Sequence, residues 1–334
     1  MFQEDPSGAR ISATWIESTI LRDNLVGLEP RRPLAVYLPA AARDPSRRFP
    51  VLYALASWTG AGRTMLDWEP FRESLFARLN RLIDSGAMPP CVVVCPDLYT
   101  SYGGSQYINS AAMGRHGDFI VRELIPHVEA QFPVLPGPEH RGVFGRSSGG
   151  FGALRLALDY PGSFTAVACH SGDLGFDLVY GRDLIQLVAG LQPVDGDVGA
   201  WLAGLKEAPK LSGHDTHLLM LLGMAATYSP DTGANPPLRL PIDLHTGERI
   251  EEIWQLWLDH DPLRLVQARP AALQGVRRLY VECGTRDQYY LLYGARQLHA
   301  SLKKLNISHR YEEFPDNHSG TAYRYDLSLP WLLE

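Results

Sequence analysis

The sequence predicts an α/β protein: a mostly parallel sheet covered by helices on both faces and interrupted by one large helical insertion. Three observations carry that expectation. Short apolar runs such as CVVVC (91–95) and RRLYVECG (277–284) alternate with helical patterns such as QYYLLYGARQLHASLKK (288–304), the rhythm of strand and helix units with parallel strands. The strand-like stretches 11–20 and 33–38 have no helix between them, so the sheet should open with an antiparallel edge. Residues 174–275 break the alternation over a length that no ordinary connection reaches.

In chain order the expected elements are strands 11–20, 33–38 and 50–56, helix 70–84, strand 91–95, helix 116–132, strand 142–146, helix 148–159 and strand 164–169. After the insertion come strand 277–283, helix 288–304, strand 307–314 and helix 321–333. Residues 1–173 and 276–334 would form the core, and 174–275 a mainly helical cap over the C-terminal strand ends, where function clusters in such sheets. Within the cap, WLAGLKEAP (201–209), THLLMLLGMAATY (216–228) and RIEEIWQLWLDHDPL (249–263) read as helices. The last puts Ile253, Trp254 and Trp257 on one side, more as packing than as a ligand surface.

The most informative segment is GVFGRSSGGFGALRLALD (142–159). An apolar run enters Gly145-Arg146-Ser147-Ser148-Gly149, and a helical pattern leaves it and stops at Tyr160-Pro161-Gly162. That is the layout of a nucleophile elbow, with glycines where a Cβ would press on backbone. Ser147 is the candidate nucleophile; Ser148 is out of register, because Arg146 stands where its glycine would be needed. The alternative is a glycine-rich turn that merely packs helix on strand.

Partners for Ser147 follow in the order serine, acid, histidine that an α/β-hydrolase requires. Asp287 lies in the loop after strand 277–283, where it could also cap the next helix. Glu282 sits inside the strand, and Asp316 is too close in sequence to the histidine. His318 follows the turn Pro315-Asp316-Asn317; His309 begins a strand, and His170 ends one near the same face, where it could join the pocket. In this constellation His318 would take the proton of Ser147, and Asp287 would hold the imidazole tautomer. The oxyanion would be received by the backbone N–H of Ser148 and a second donor after strand 50–56, Trp58, unless that residue is a pocket wall.

On these residues the chain resembles the Putative esterase family of α/β-hydrolases, which includes esterase D-like, feruloyl esterase and enterochelin esterase relatives and is related to mycolyltransferases. The resemblance runs through PLAVYLP (33–39), FPVLYALASW (49–58), GDFIVRELIPHVEAQF (117–132), the elbow segment, VECGTRDQYY (281–290) and Asp316-Asn317-His318. Many relatives carry His-Gly where this chain has Ala56-Ser57. The resemblance also implies that PDLYTSYGGSQYINS (96–110) borders the substrate cleft, with Tyr107 and Asn109 as polar contacts or as parts of a structural loop. Arg146 would face the cleft or bind a neighbouring helix.

The implied activity is a serine carboxylic-ester hydrolase that forms an acyl-enzyme and uses neither metal nor organic cofactor. An acyltransferase or a thioesterase would use the same triad, and a silent binding protein on the same fold is the alternative from another class. At 334 residues and 45% hydrophobic content, the chain can bury one large core with an insertion. A net charge of −6 gives no footprint for nucleic acid, and no apolar run is long enough for a membrane. The polar start MFQEDPSGAR is unlike a secretory signal, so a cytoplasmic address is expected unless the chain begins at a mature end. Cys91, Cys95, Cys169 and Cys283 lie in or beside expected strands and read as reduced core residues with no metal spacing. The partner is a small-molecule ester, and apolar surface on the cap would support a homodimer.

Overall fold

The computed structural model describes residues 3–4, 8–68 and 70–334, so part of the polar N-terminus lies outside the described residues. The strands are β1 (Gln3–Glu4), β2 (Arg10–Glu17), β3 (Arg31–Leu38), β4 (Val51–Leu55), β5 (Val92–Pro96), β6 (Asn109–Ser110), β7 (Gly114–Arg115), β8 (Arg141–Arg146), β9 (Ala166–His170), β10 (Arg278–Gly284) and β11 (Arg310–Phe314). A nine-stranded sheet runs in the order β1-β2-β3-β5-β4-β8-β9-β10-β11, and β6 and β7 form a separate hairpin. The pairings β1/β2, β2/β3 and β3/β5 are antiparallel, as the absence of a helix between the first long strands implied, and all later pairings are parallel. Every residue of β4 and β5 is buried, which is why these strands read as unbroken apolar runs.

The pleat divides the core. Val143, Val167, Cys169 and Leu279 face one layer, while Phe144, Ala168 and Tyr280 face the other. On the first face lies α4 (Ser148–Asp159) with its buried Phe151 and Leu154; on the second lie α1 (Leu75–Asp84) and α12 (Tyr325–Leu332). The chain leaves β4 toward β5 on one side and returns to β8 on the other, so a crevice opens beyond the carboxyl ends of β4 and β8.

Several boundaries differ from expectation for local reasons. The helix expected from residue 70 starts at Leu75, because Phe71 has a φ of 62° and the Ser74 hydroxyl caps Ala77 N–H. The helix expected over 116–132 is α2 (His116–Asp118) and α3 (Ile125–Gln131) joined by a π-type stretch at Phe119–Leu124. Residues 174–275 contain α5 (Phe176–Val179), α6 (Leu184–Leu191), α7 (Val198–Glu207), α8 (Gly213–Tyr228), α9 (Glu251–Leu258) and α10 (Pro262–Ala268). α8 opens on a capping box between Ser212 and Asp215. The run 249–263 splits at Asp261-Pro262, where Asp261 accepts Leu263 N–H and starts a new helix. Trp254 and Trp257 are fully buried and Ile253 partly so; these helices share one apolar cluster with α4. After β10 comes α11 (Leu291–Lys304), and a 3-10 turn, Thr321–Arg324, precedes α12. All four cysteines are free and buried, and burial pushes the Cys91 and Cys169 thiols up to about 12. No described helix is long and apolar enough to cross a membrane.

Candidate active site

β8 passes into α4 through Ser147, whose φ of 56° and ψ of −125° lie where residues with a side chain are rarely found. Glycine is what lets the chain turn there. A Cβ on Gly149 would stand 2.1 Å from the Leu55 carbonyl oxygen, and one on Gly145 would stand 2.5 Å from the Gly149 carbonyl carbon. Ser147 N–H donates to the His170 carbonyl at 3.0 Å, and the Ser147 carbonyl accepts Phe151 N–H at 2.9 Å. The serine is thus held half-buried at the start of a 12-residue helix, whose free N–H groups and dipole favour negative charge.

His318 and Asp287 come together as the sequence implied. Asp287 Oδ2 lies 2.8 Å from His318 Nδ1, and Asp287 Oδ1 accepts Tyr289 N–H at 2.9 Å. The two loops can meet because β10 ends on Gly284, where a Cβ would strike the Asp316 carbonyl oxygen at 2.4 Å. His318 N–H donates to Gln288 Oε1 at 3.0 Å, and the ring of Tyr289 stands edge-on to the imidazole at 4.9 Å. Asp287 is not the cap of α11, because Tyr290 occupies that position with a φ of 62°. Arg146 Nη1 donates to the His318 carbonyl at 2.9 Å, tying the residue before Ser147 to the histidine loop.

Of the two expected oxyanion donors, Ser148 is buried and its Oγ lies 3.4 Å from Asp173 Oδ2. Trp58 follows β4 as expected; its carbonyl accepts Gly104 N–H at 2.8 Å, and its indole is buried with no partner for Nε1 among the described residues. Ala56-Ser57, in place of the His-Gly of many relatives, has its own tie to the elbow: Ser57 Oγ donates to the Arg146 carbonyl at 3.2 Å.

Three of the expected substrate contacts have other partners in the structure. His170 shares its pleat with Ala168, so its imidazole lies on the α12 side, with Nδ1 2.7 Å from Glu282 Oε1 and Nε2 3.0 Å from Ser328 Oγ. Both ring nitrogens are occupied in the core. Tyr107 is buried, and its hydroxyl donates to the Ala56 carbonyl at 2.7 Å, so it braces the loop before Trp58. Asn109 caps Asp118 N–H at 3.0 Å and donates to Tyr160 OH at 3.1 Å, which commits it to the β6 hairpin. Of that set, Arg146 lines the cavity beside the elbow, and Asn109 lines a separate, more open one with Asp118 and Tyr160.

Sequence reasoning passed over a buried polar cluster behind the elbow. Asp173 Oδ2 accepts from Tyr180 OH at 2.9 Å and from Gln106 Nε2 at 3.1 Å, and Gln106 Nε2 also donates to Tyr228 OH at 2.9 Å. Burial holds the Asp173 carboxyl above the usual carboxylate range. The signal was an aspartate in the loop directly after β9, at the same sheet end as the elbow. Among the described residues no group of three or more His, Cys, Asp or Glu could hold a metal ion.

The family model described as Putative esterase matches residues 27–329. The chain is 33% identical over 138 residues to a Mycobacterium tuberculosis protein named Esterase Rv1288, covering 41% of this chain and 28% of that protein. It is 27% identical over 157 residues to the S-formylglutathione hydrolase of Mus musculus, covering 45% of this chain and 54% of the mouse protein. The chain therefore spans between about a quarter and about half of the length of these relatives. Solved structures with the same fold include a ferulic acid esterase (TM-score 0.62, 16% identity, 97% of this chain and 98% of that one). An S-formylglutathione hydrolase from Agrobacterium tumefaciens has a TM-score of 0.61 at 15% identity, over 99% of this chain and 97% of its own. The chain belongs to the Putative esterase family and has the fold of an esterase-type hydrolase.

Proposed function

We propose that the chain hydrolyses carboxylic esters through an acyl-enzyme on Ser147, with His318 as acid and base and Asp287 as its orienting carboxylate. The observation that carries this reading is the strained Ser147 elbow at the same sheet end as an imidazole whose Nδ1 is already held by a buried carboxylate. With Nδ1–H donated to Asp287, Nε2 of His318 is the atom left to accept the serine proton. Ser147 Oγ attacks the ester carbonyl as that proton moves, and the same proton then passes to the departing alcohol. Water repeats the sequence on the acyl-enzyme. The tetrahedral oxyanion is received by Ser148 N–H at the α4 terminus and by Trp58 N–H, whose loop is braced by Tyr107 and Ser57. Residues 174–275 act as the cap: Tyr180 and Tyr228 reach from it to Gln106 and Asp173, next to Ser148, so it bounds the acyl side.

The test is hydrolysis of p-nitrophenyl esters from acetate to palmitate, with Ser147→Ala in parallel and labelling by a fluorophosphonate probe. Labelling and activity that both vanish in Ser147→Ala support the reading, and the preferred chain length measures the acyl pocket. Activity that survives the substitution refutes it. Adding an alcohol acceptor separates hydrolysis from acyl transfer by whether ester product forms at the expense of free acid, and a thioester series tests the sulfur alternative.

A further inference from the structure

Beside the elbow, on the face opposite α4, a cavity of about 390 Å³ opens among three of the four loops that build the site. Ala56 and Ser57 come from the loop that leads to Trp58, Arg146 immediately precedes Ser147, and Gly320, Ala322 and Tyr323 follow His318. No residue of the helical segment 174–275 lines it. If the helical segment bounds the acyl side, this cavity is where the other half of the ester extends.

Its charged groups are unequal. Glu73 is occupied by Arg78 at 2.9 Å and by Arg81 at 2.7 Å, and Arg78 is further paired with Asp326. Asp67 lies 4.0 Å from Arg63. Arg72 adds positive charge at the exposed rim. Arg146 differs from these groups: it is half-buried, donates through Nη1 to the His318 carbonyl, and has no carboxylate partner among the described residues. A guanidinium in that setting keeps further N–H donors for a planar anion.

We infer that this cavity is the leaving-group subsite and that Arg146 selects esters whose alcohol carries a negatively charged group, such as a carboxylate. The inference rests on the serine-esterase reading of Ser147. The leaving oxygen takes its proton from His318, and the carbonyl of that same histidine carries Arg146, so the guanidinium lies on the departing side. The phenol ring of Tyr323 on the cavity wall suits an alcohol of about one aromatic ring.

The experiment compares 3- and 4-acetoxybenzoate with their methyl esters, so that the acyl group is constant and only the charge of the leaving phenol changes. The wild-type chain should prefer at least one of the anionic isomers by about tenfold or more in kcat/KM, the size of a charge-assisted hydrogen bond. The preference should fall with added salt. Arg146→Gln should bring the ratio near one, and Arg146→Lys should restore part of it; a general loss of activity from the His318 contact acts on both esters and cancels in the ratio. Binding of the same four esters to Ser147→Ala, followed by calorimetry, provides a readout that does not need turnover. No preference in either isomer pair, or a preference that persists in Arg146→Gln, overturns the inference. Failure of fluorophosphonate labelling with anion-selective binding intact would count against the serine-esterase reading and not against the Arg146 site.

Discussion

Two imidazole–carboxylate pairs are placed near the same end of the sheet, and only one has a ring nitrogen without a partner among the described residues. His318 Nδ1 stands 2.8 Å from Asp287 Oδ2; His170 Nδ1 stands 2.7 Å from Glu282 Oε1. The second pair even has its own serine, since Ser328 Oγ lies 3.0 Å from His170 Nε2. By hydrogen-bond pattern alone, Ser328–His170–Glu282 is the more complete triad. It is also closed: Ser328, His170 and Glu282 are 0%, 3% and 1% exposed, and Glu282 further accepts from Tyr280 OH and Arg324. Every polar atom in it has a protein partner, and Ser328 sits inside helix α12. Around Ser147 the arrangement is opposite: the serine is half-exposed on a strained turn, and His318 Nε2 has no hydrogen-bond partner among the described residues. The catalytic role proposed for Ser147 rests on both features: a turn that presents the serine and a histidine nitrogen left free.

The sharpest way to break this comparison is to remove each serine. Ser147→Ala should lower kcat on an activated ester by about 10⁴-fold or more, measured beside circular dichroism to show that the fold persists. Equal losses from Ser147→Ala and Ser328→Ala would mean that the buried chain takes part. Next in size is Asp287→Asn, which keeps the shape but turns a donor toward Nδ1 and favours the wrong imidazole tautomer. A fall of about 10²- to 10⁴-fold in kcat is expected, with KM nearly unchanged; a loss below threefold would show that His318 needs no anionic partner.

Glu282→Gln should reverse the pattern, with stability lost and turnover kept. The carboxylate is held by His170 and Arg324, and removing one charge of a buried pair costs about 3 kcal/mol. Burial pushes the Glu282 carboxyl up, but the bonds from His170 and Arg324 outweigh it and leave the group below its ordinary value. A depressed folded value means that the stabilisation is present above the unfolded value and is lost as pH falls through the folded one. The urea midpoints of wild type and Glu282→Gln should therefore differ near neutrality and converge in acid. Midpoints that stay equally separated across that range would show that the carboxylate charge contributes nothing.

What the sequence made legible follows the range of the forces involved. The elbow was readable because its causes are local: glycines at 145 and 149, a strand pattern before, a helix pattern after. Asp287 and His318 were readable as residues just beyond strand ends, and the antiparallel edge as two strands without a helix between them. The side of the sheet that His170 faces was not readable, because the AVAC before it is apolar throughout and the strand is buried on both faces, so no alternation marks the pleat. Tyr107 was left open between cleft and structural loop because local pattern does not show that Gln106 and Tyr107 both take positive φ and that the tyrosine is buried. The Asp173 cluster depends on Tyr180 and Tyr228, brought from a segment whose packing no local pattern specifies. The helix expected from 288 begins at Leu291 because Tyr290 N–H turns back to the Asp287 carbonyl.

The smallest effect is the most discriminating. Ser328→Ala removes one donor from His170 Nε2 and leaves that nitrogen buried without a partner, which costs about 1 to 2 kcal/mol. If the buried chain is purely structural, this loss should appear in the urea midpoint alone, with kcat, KM and fluorophosphonate labelling of Ser147 unchanged. The imidazole would still be held by Glu282 at 2.7 Å and packed between Tyr280 and Tyr325 at 5.5 and 4.9 Å, so the ring should not move far. A change in kcat would mean something different. The His170 carbonyl accepts Ser147 N–H at 3.0 Å, so strain at the imidazole has a path to the elbow through the His170 backbone and one hydrogen bond. A lower kcat at constant KM in Ser328→Ala would therefore identify the decoy triad as the support that sets the nucleophile's position, and the two regions would be one machine instead of two.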